Sequence, residues 1–122
     1  MYKKKILCVD DDPGILDLLN NALEDRFEVF LAPSGAEGLK VIEEHGDLHI
    51  VISDHYMQGM TGVEFLTQVQ EIRPKSYRFL ISGYMDLVDI LPMIESGIIT
   101  RFIKKPWSIN SLYRILDSTI KS

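Results

Sequence analysis

The sequence predicts an α/β fold: one doubly wound domain over residues 1–122, with a parallel five-stranded sheet in the order 2-1-3-4-5 between two layers of helices. Two observations predict it. Short apolar runs recur five times along the chain, and a helical repeat follows each of them. The central run, Ile50-Val51-Ile52-Ser53-Asp54, is apolar on consecutive positions rather than alternate ones. That is the pattern of a strand buried on both faces of a sheet. Strands separated by single helices require right-handed crossovers, hence parallel pairing and helices on both sides. Of the two common doubly wound orders, 2-1-3-4-5 suits five strands.

The elements follow in order. Ile6-Leu7-Cys8-Val9 is the first strand and runs into Asp10-Asp11-Asp12. Pro13 fits the first position of a helix, with Asp12 as its N-cap. Ile15, Leu18, Leu19, Ala22 and Leu23 then recur at helical spacing as the inward face. Phe27 to Leu31 is the second strand. Ser34 and Glu37 form a capping-box pattern for a helix to about Glu44. The central strand spans about His49 to Ser53 and delivers Asp54 to its end. Thr61 and Glu64 repeat the capping-box pattern, and Phe65, Leu66, Val69 and Ile72 face inward until Pro74 stops that helix. Tyr77 to Ser82 is the fourth strand, broken at Gly83. A fourth helix falls between about Asp86 and Ser96, where Pro92 either sits in the first turn or bends it. Thr100 to Lys104 is the fifth strand. Ser108 caps the last helix, with Ile109, Leu112, Leu116 and Ile120 inward.

Composition narrows the function. The chain has 122 residues, 46% hydrophobic and 25% charged, enough for one soluble globular core. Its net charge is −5, from 13 basic and 18 acidic residues, which argues against a nucleic-acid-binding surface. The single cysteine, Cys8, allows no internal disulfide and fits a reducing compartment. The basic start Met1-Tyr2-Lys3-Lys4-Lys5 precedes only four apolar residues, too few for a signal peptide or a membrane span. A cytoplasmic location is the expectation.

In the order 2-1-3-4-5 the carboxyl ends of strands one, three, four and five are neighbours, and ligands bind at that edge in open α/β sheets. The edge then gathers Asp10, Asp11 and Asp12, then Asp54, then Ser82-Gly83, then Lys104-Lys105-Pro106. Two like charges ~4 Å apart repel by roughly 4 kcal/mol at an effective dielectric near 20, so such a cluster makes sense around a divalent cation. Magnesium is the natural candidate, since it takes few carboxylates, several waters and a substrate phosphate.

With Asp10-Asp11 after strand one, Asp54 after strand three, Ser82 before a small residue, Phe102 in strand five and Lys105-Pro106 after it, the chain resembles the receiver domain of two-component response regulators from Ile6 to about Lys121. Each marker alone is common; all of them in order, each at the end of the right strand, are specific. The resemblance implies that Asp54 accepts a phosphoryl group from a histidine kinase or a histidine phosphotransfer protein, with Mg2+ (or Mn2+) as cofactor. It implies Asp11 and Asp54 as direct metal ligands, Asp10 through water, and the Tyr56 backbone carbonyl as a third protein ligand. Lys105 offsets phosphoryl charge, and the Ser82 hydroxyl bonds a phosphoryl oxygen. Movement of Ser82 lets Phe102 rotate, changing the surface of helix four, strand five and helix five. The partners implied are the kinase or phosphotransfer protein and an output domain or target protein, with room for a phosphorylation-dependent homodimer. No membrane partner is implied. The chemistry is that of a signalling domain rather than a turnover enzyme.

The sequence departs from the family at Gln58, where a proline is usual. This predicts a looser loop and weaker metal binding. Tyr56, two residues after Asp54, and Tyr84, two after Ser82, are expected to flank the phosphate and slow its hydrolysis. Other residues have plainer roles: Asp12 as a cap, Ser53 bonded locally, Cys8 in the core, and His45, His49 and His55 scattered without metal spacing. Only one of Lys104 and Lys105 can point into the pocket, and the proline neighbour favours Lys105. Trp107 is a packing anchor near the last helix. The rival readings are a receiver-like interaction module that is never phosphorylated, a haloacid-dehalogenase-type phosphatase and an FMN carrier. The phosphatase would use Asp10 and Asp12 but lacks a cap domain and a late acidic pair. The FMN carrier needs hydroxyls where this chain has aspartates.

Overall fold

In the computed structural model, residues 3–83 and 87–120 are described. Five strands, β1 (Lys4–Val9), β2 (Phe27–Ala32), β3 (Ile50–Asp54), β4 (Tyr77–Ser82) and β5 (Arg101–Lys104), alternate with five helices. The helices are α1 (Pro13–Leu23), α2 (Gly35–Glu44), α3 (Gly62–Ile72), α4 (Leu87–Glu95) and α5 (Ile109–Thr119). The sheet order is β2-β1-β3-β4-β5, and every pairing is parallel. Both are as the sequence predicts.

Side chains of a strand alternate between faces, so a sheet covered on both sides needs two cores. Ile6 and Cys8 of β1, Ile50 and Ile52 of β3, and Phe79 and Ile81 of β4 meet α1 and α5 through Leu16, Leu19, Leu23, Leu112 and Leu116. Leu7, Val9, Val51 and Leu80 point the other way, onto Ile42 of α2 and Phe65, Leu66 and Val69 of α3. Cys8 lies in the first core, fully buried, and burial pushes its thiol up to about 12, which leaves it unreactive.

Three inward assignments are corrected. Leu18 is half exposed, and Leu16 takes its place in the α1 face. Ile72 and Ile109 are exposed as well. Ile109 opens its helix and Ile72 closes its own. The capping of α2 is half of the expected box: Ser34 accepts from the Glu37 amide, while the Glu37 carboxylate turns to Lys40, 3.6 Å away. The box at Thr61 and Glu64 closes in both directions, and Ser108 pairs with Ser111 in a third. Pro92 lies inside α4, not in its first turn, so the Val88 carbonyl has no helical donor there.

Arg78 carries the amino end of β4. It is 5% exposed, and its guanidinium donates to the carbonyls of Arg73, Ser76, Gly97 and Ile98 and to the Ser76 hydroxyl. A buried cation is tolerated when its donors are all satisfied in this way. The effect is to tie the turn after α3 to the turn after α4.

Candidate functional site

The carboxyl edge opens into a cleft of about 490 Å³ lined by Asp10, Asp11, Asp12, Ile15, Asp54, Tyr56, Gly83 and Lys105. The strands put them there. Val9 pairs with Ser53, and Asp54 pairs with Ile81, so β1, β3 and β4 end at nearly the same height. Beside Ser82, β5 ends in Lys104, and the next residue turns inward. Lys104 is exposed, whereas the Lys105 Nζ lies 2.7 Å from Asp54 Oδ1. The Lys105–Pro106 peptide is cis.

Each carboxylate has its own donor. Asp54, 6% exposed, holds the Lys105 ammonium. Asp10, 4% exposed, accepts the Asp12 amide at 2.9 Å. Asp11 is exposed and accepts the Gln58 amide at 3.1 Å. This last bond ties the loop after β3 to the loop after β1 across 47 residues. Asp12 does not point its function into the cleft; its Oδ1 caps α1 by accepting from the Gly14 amide. A capping carboxylate is poorly placed to act as the general acid of a phosphatase.

Burial raises the Asp10 carboxyl from its ordinary 3.8 to about 6; the neighbouring Asp54 and Asp11 charges push the same way, against the Asp12 amide and Lys105. Lys105 goes the other way from what its own burial favours: the hydrogen bond and charge of Asp54, with Asp10 and Asp11, hold its ammonium above the ordinary range. It therefore stays charged at neutral pH. Burial lowers His55, against the charges of Asp54 and Glu64, and its Nδ1 is buried with no hydrogen-bond partner among the described residues.

The Asp10 shift has a measurable consequence in chelator. Between 3.8 and about 6 the folded protein binds a proton that the unfolded chain does not, so stability rises as pH falls through about 6 and levels off near 4. Asp10→Asn removes that part of the pH dependence and stabilises the metal-free protein at pH 7.5 by about 1–2 kcal/mol. Thermal melts of both proteins at pH 5 and 7.5 check this. Equal pH slopes would contradict it.

The remaining expected residues are more scattered. Ser82 is 1% exposed at the end of β4 and does not line the cleft, whose wall there is Gly83. Phe102 is half-buried and packs on the α2–α3 side of the sheet. Tyr56 is 57% exposed at the rim, its ring edge-on to His55. Tyr84 lies outside the described residues. The Ser53 hydroxyl bonds the Asp54 carbonyl, His45 stacks on Phe30, and Trp107 packs on the first core beside Asp10 and Lys105. Gly62 was the missed residue: its amide donates to the His55 carbonyl, and it lies against the backbone of Asp54. Among the described residues no three acidic, histidine or cysteine side chains close into a cage for an ion by themselves. The donor set still fits magnesium, which takes one or two carboxylates and keeps its waters.

A family model, the response regulator receiver domain, matches residues 6–117. The chain belongs to the receiver domain family. This receiver is 32% identical over 114 residues to sporulation initiation phosphotransferase F of Bacillus subtilis, covering 92% of this chain and 90% of that protein. It is 36% identical over 102 residues to the hydrogenase transcriptional regulatory protein HoxA of Cupriavidus necator, covering 84% of this chain but 21% of the regulator. The transcriptional regulatory protein GlrR of Escherichia coli is 32% identical over 117 residues, 95% of this chain and 26% of the regulator. The receiver thus spans about a quarter or less of these two regulators. In three dimensions it resembles a receiver domain protein from Clostridium thermocellum, with a TM-score of 0.88, 28% identity and coverage of 96% and 94% of the two chains. No helix among the described residues is long and apolar enough to cross a membrane.

Proposed function

We propose that Asp54 is the phosphoacceptor of this receiver, that Asp11, Asp54 and the Tyr56 carbonyl hold a magnesium ion with Asp10 behind a water, and that the donor is a phosphohistidine on a kinase or phosphotransfer protein. The observation that carries the reading is the 2.7 Å contact between Lys105 Nζ and Asp54 Oδ1 at the floor of the acidic cleft. Asp54 is 6% exposed and its Oδ1 lies against the Lys105 ammonium, which positions the carboxylate as a nucleophile. One of its oxygens forms the new O–P bond as the N–P bond of the donor breaks, and the leaving imidazole nitrogen takes up a proton. Phosphoryl transfer asks mainly for positioning and charge stabilisation. When bound, the metal supplies positive charge to the transferring phosphoryl oxygens. Lys105 supplies the same from beside Asp54, and the cleft admits the donor past the small Gly83 in its wall.

The readout runs through Ser82 and Phe102. A phosphoryl group on Asp54 offers Ser82 an anionic acceptor, and space vacated behind Ser82 receives the Phe102 ring, altering the face made by α4, β5 and α5. That is a local charge biasing a two-state element. The domain is a switch read by a target or output domain in the cytoplasm, and not a turnover catalyst.

A stable mimic of the acyl phosphate tests this without a partner. Magnesium together with beryllium fluoride is expected to raise the melting temperature of the wild type by roughly 5–10 °C at saturation, and magnesium alone by less. Asp54→Asn is expected to lose the beryllium fluoride shift. A shift that persists in that variant, or none in the wild type, counts against the assignment.

A further inference from the structure

The three carboxylates of the cleft are held by donors of three kinds. Asp54 has a lysine, Asp10 has the amide two residues on, and Asp11 has the Gln58 amide, 47 residues away. The Gln58 donor exists only because this position is not proline, which has no N–H. Asp11 is the most exposed of the three, and its hydrogen-bond donor is a backbone amide of a distant loop.

We infer that the Gln58 backbone amide is a positioning group for the metal site, holding the Asp11 carboxylate across the mouth of the cleft and, through the same loop, fixing the height of the Tyr56 carbonyl two residues earlier. The inference rests on the reading of Asp11 as a metal ligand. A neutral amide suits the role. It fixes the carboxylate without removing negative charge, and one accepted hydrogen bond leaves the other oxygen and its lone pairs for a cation. It also offsets repulsion from Asp10 and Asp54 while the site is metal-free. The loop whose proline is missing is thereby kept in place by a bond that proline forbids.

The test is magnesium titration by calorimetry on the wild type, Gln58→Ala and Gln58→Pro. The donor is backbone, so Gln58→Ala is expected to bind as the wild type does. Gln58→Pro loses the amide proton and is expected to bind about tenfold more weakly, as for one lost hydrogen bond to a charged group. Proline also restricts Met57 before it, so a second measurement isolates the bond. In metal-free protein, Asp11→Ala is expected to speed hydrogen exchange at the Gln58 amide by tenfold or more, with β-strand amides unchanged. Equal or tighter binding in Gln58→Pro, weakened binding in Gln58→Ala, or unchanged Gln58 exchange in Asp11→Ala overturns the inference and leaves the metal site standing. Absence of magnesium binding by the wild type overturns the site and the inference together.

Discussion

Lys105→Met is expected to slow phosphoryl uptake from a small phosphodonor by roughly 10²-fold or more, the loss typical of removing one preorganised charge from a reacting centre. The side chain is close in length to lysine and keeps the apolar stem, so packing around Pro106 and Trp107 is retained. What disappears is the ammonium 2.7 Å from Asp54 Oδ1. On the proposed metal site the effect is expected in the transfer step, because magnesium would still neutralise the acidic side of the cleft in the variant. Uptake rates by intact mass at saturating magnesium check it. A reduction under fivefold would mean that the Lys105–Asp54 contact is an ion pair of the resting state and no part of the transfer. Magnesium affinity should rise or hold in the same variant, since the metal no longer competes with a lysine for Asp54.

Gly62→Ala is expected to cost about 3 kcal/mol or more of stability, near the upper end for overpacking. A Cβ at residue 62 would lie 2.2 Å from the Asp54 carbonyl oxygen and 2.8 Å from His55 Cα. Both are backbone atoms, so no side-chain rotation relieves the contact; either α3 lifts from the sheet or the end of β3 shifts. Because that strand end carries Asp54, the residual folded protein should also lose phosphoryl uptake. Urea unfolding checks the stability, with Gly46→Ala as the control, where the added Cβ meets only the end of the Arg73 side chain at 3.9 Å. A cost below about 1 kcal/mol would show that α3 is not seated on the end of β3 as closely as the geometry requires.

The fold was legible because the sheet is buried on both faces. Runs such as Ile50-Val51-Ile52 have no other economical place, and caps such as Asp12-Pro13 and Thr61-Gly62-Val63-Glu64 mark helix starts by local hydrogen bonding alone. Once the strand order is known, the convergence of Asp10, Asp11, Asp54 and Lys105 follows from register; strand alternation admits only one of Lys104 and Lys105, and the neighbouring Pro106 favours Lys105. What the sequence hid depends on contacts between distant segments. Leu18, Ile72 and Ile109 fit the helical period yet are exposed, Leu18 because Leu16 fills the inward face of α1 and the other two because they sit at helix ends. The need for glycine at 62 comes from the approach of α3 to the Asp54 backbone, which no local pattern records. Gln58 was visible as a departure from the family, but the hydrogen bond from its amide to Asp11 depends on how two distant loops meet, which no local pattern records. The role of Arg78 went unread because its acceptors are carbonyls at two turns, not a carboxylate that a motif would reveal.

The central claim is that Asp54 carries the phosphoryl group. The most direct test is the intact mass of the wild type and Asp54→Asn after incubation with a small phosphodonor, with magnesium or with chelator. The account predicts one added phosphoryl group on the wild type with magnesium, little with chelator, and none on Asp54→Asn. Addition to Asp54→Asn at the wild-type rate would place the acceptor elsewhere. No addition to the wild type with any of several donors would make this receiver an interaction module that works without phosphorylation.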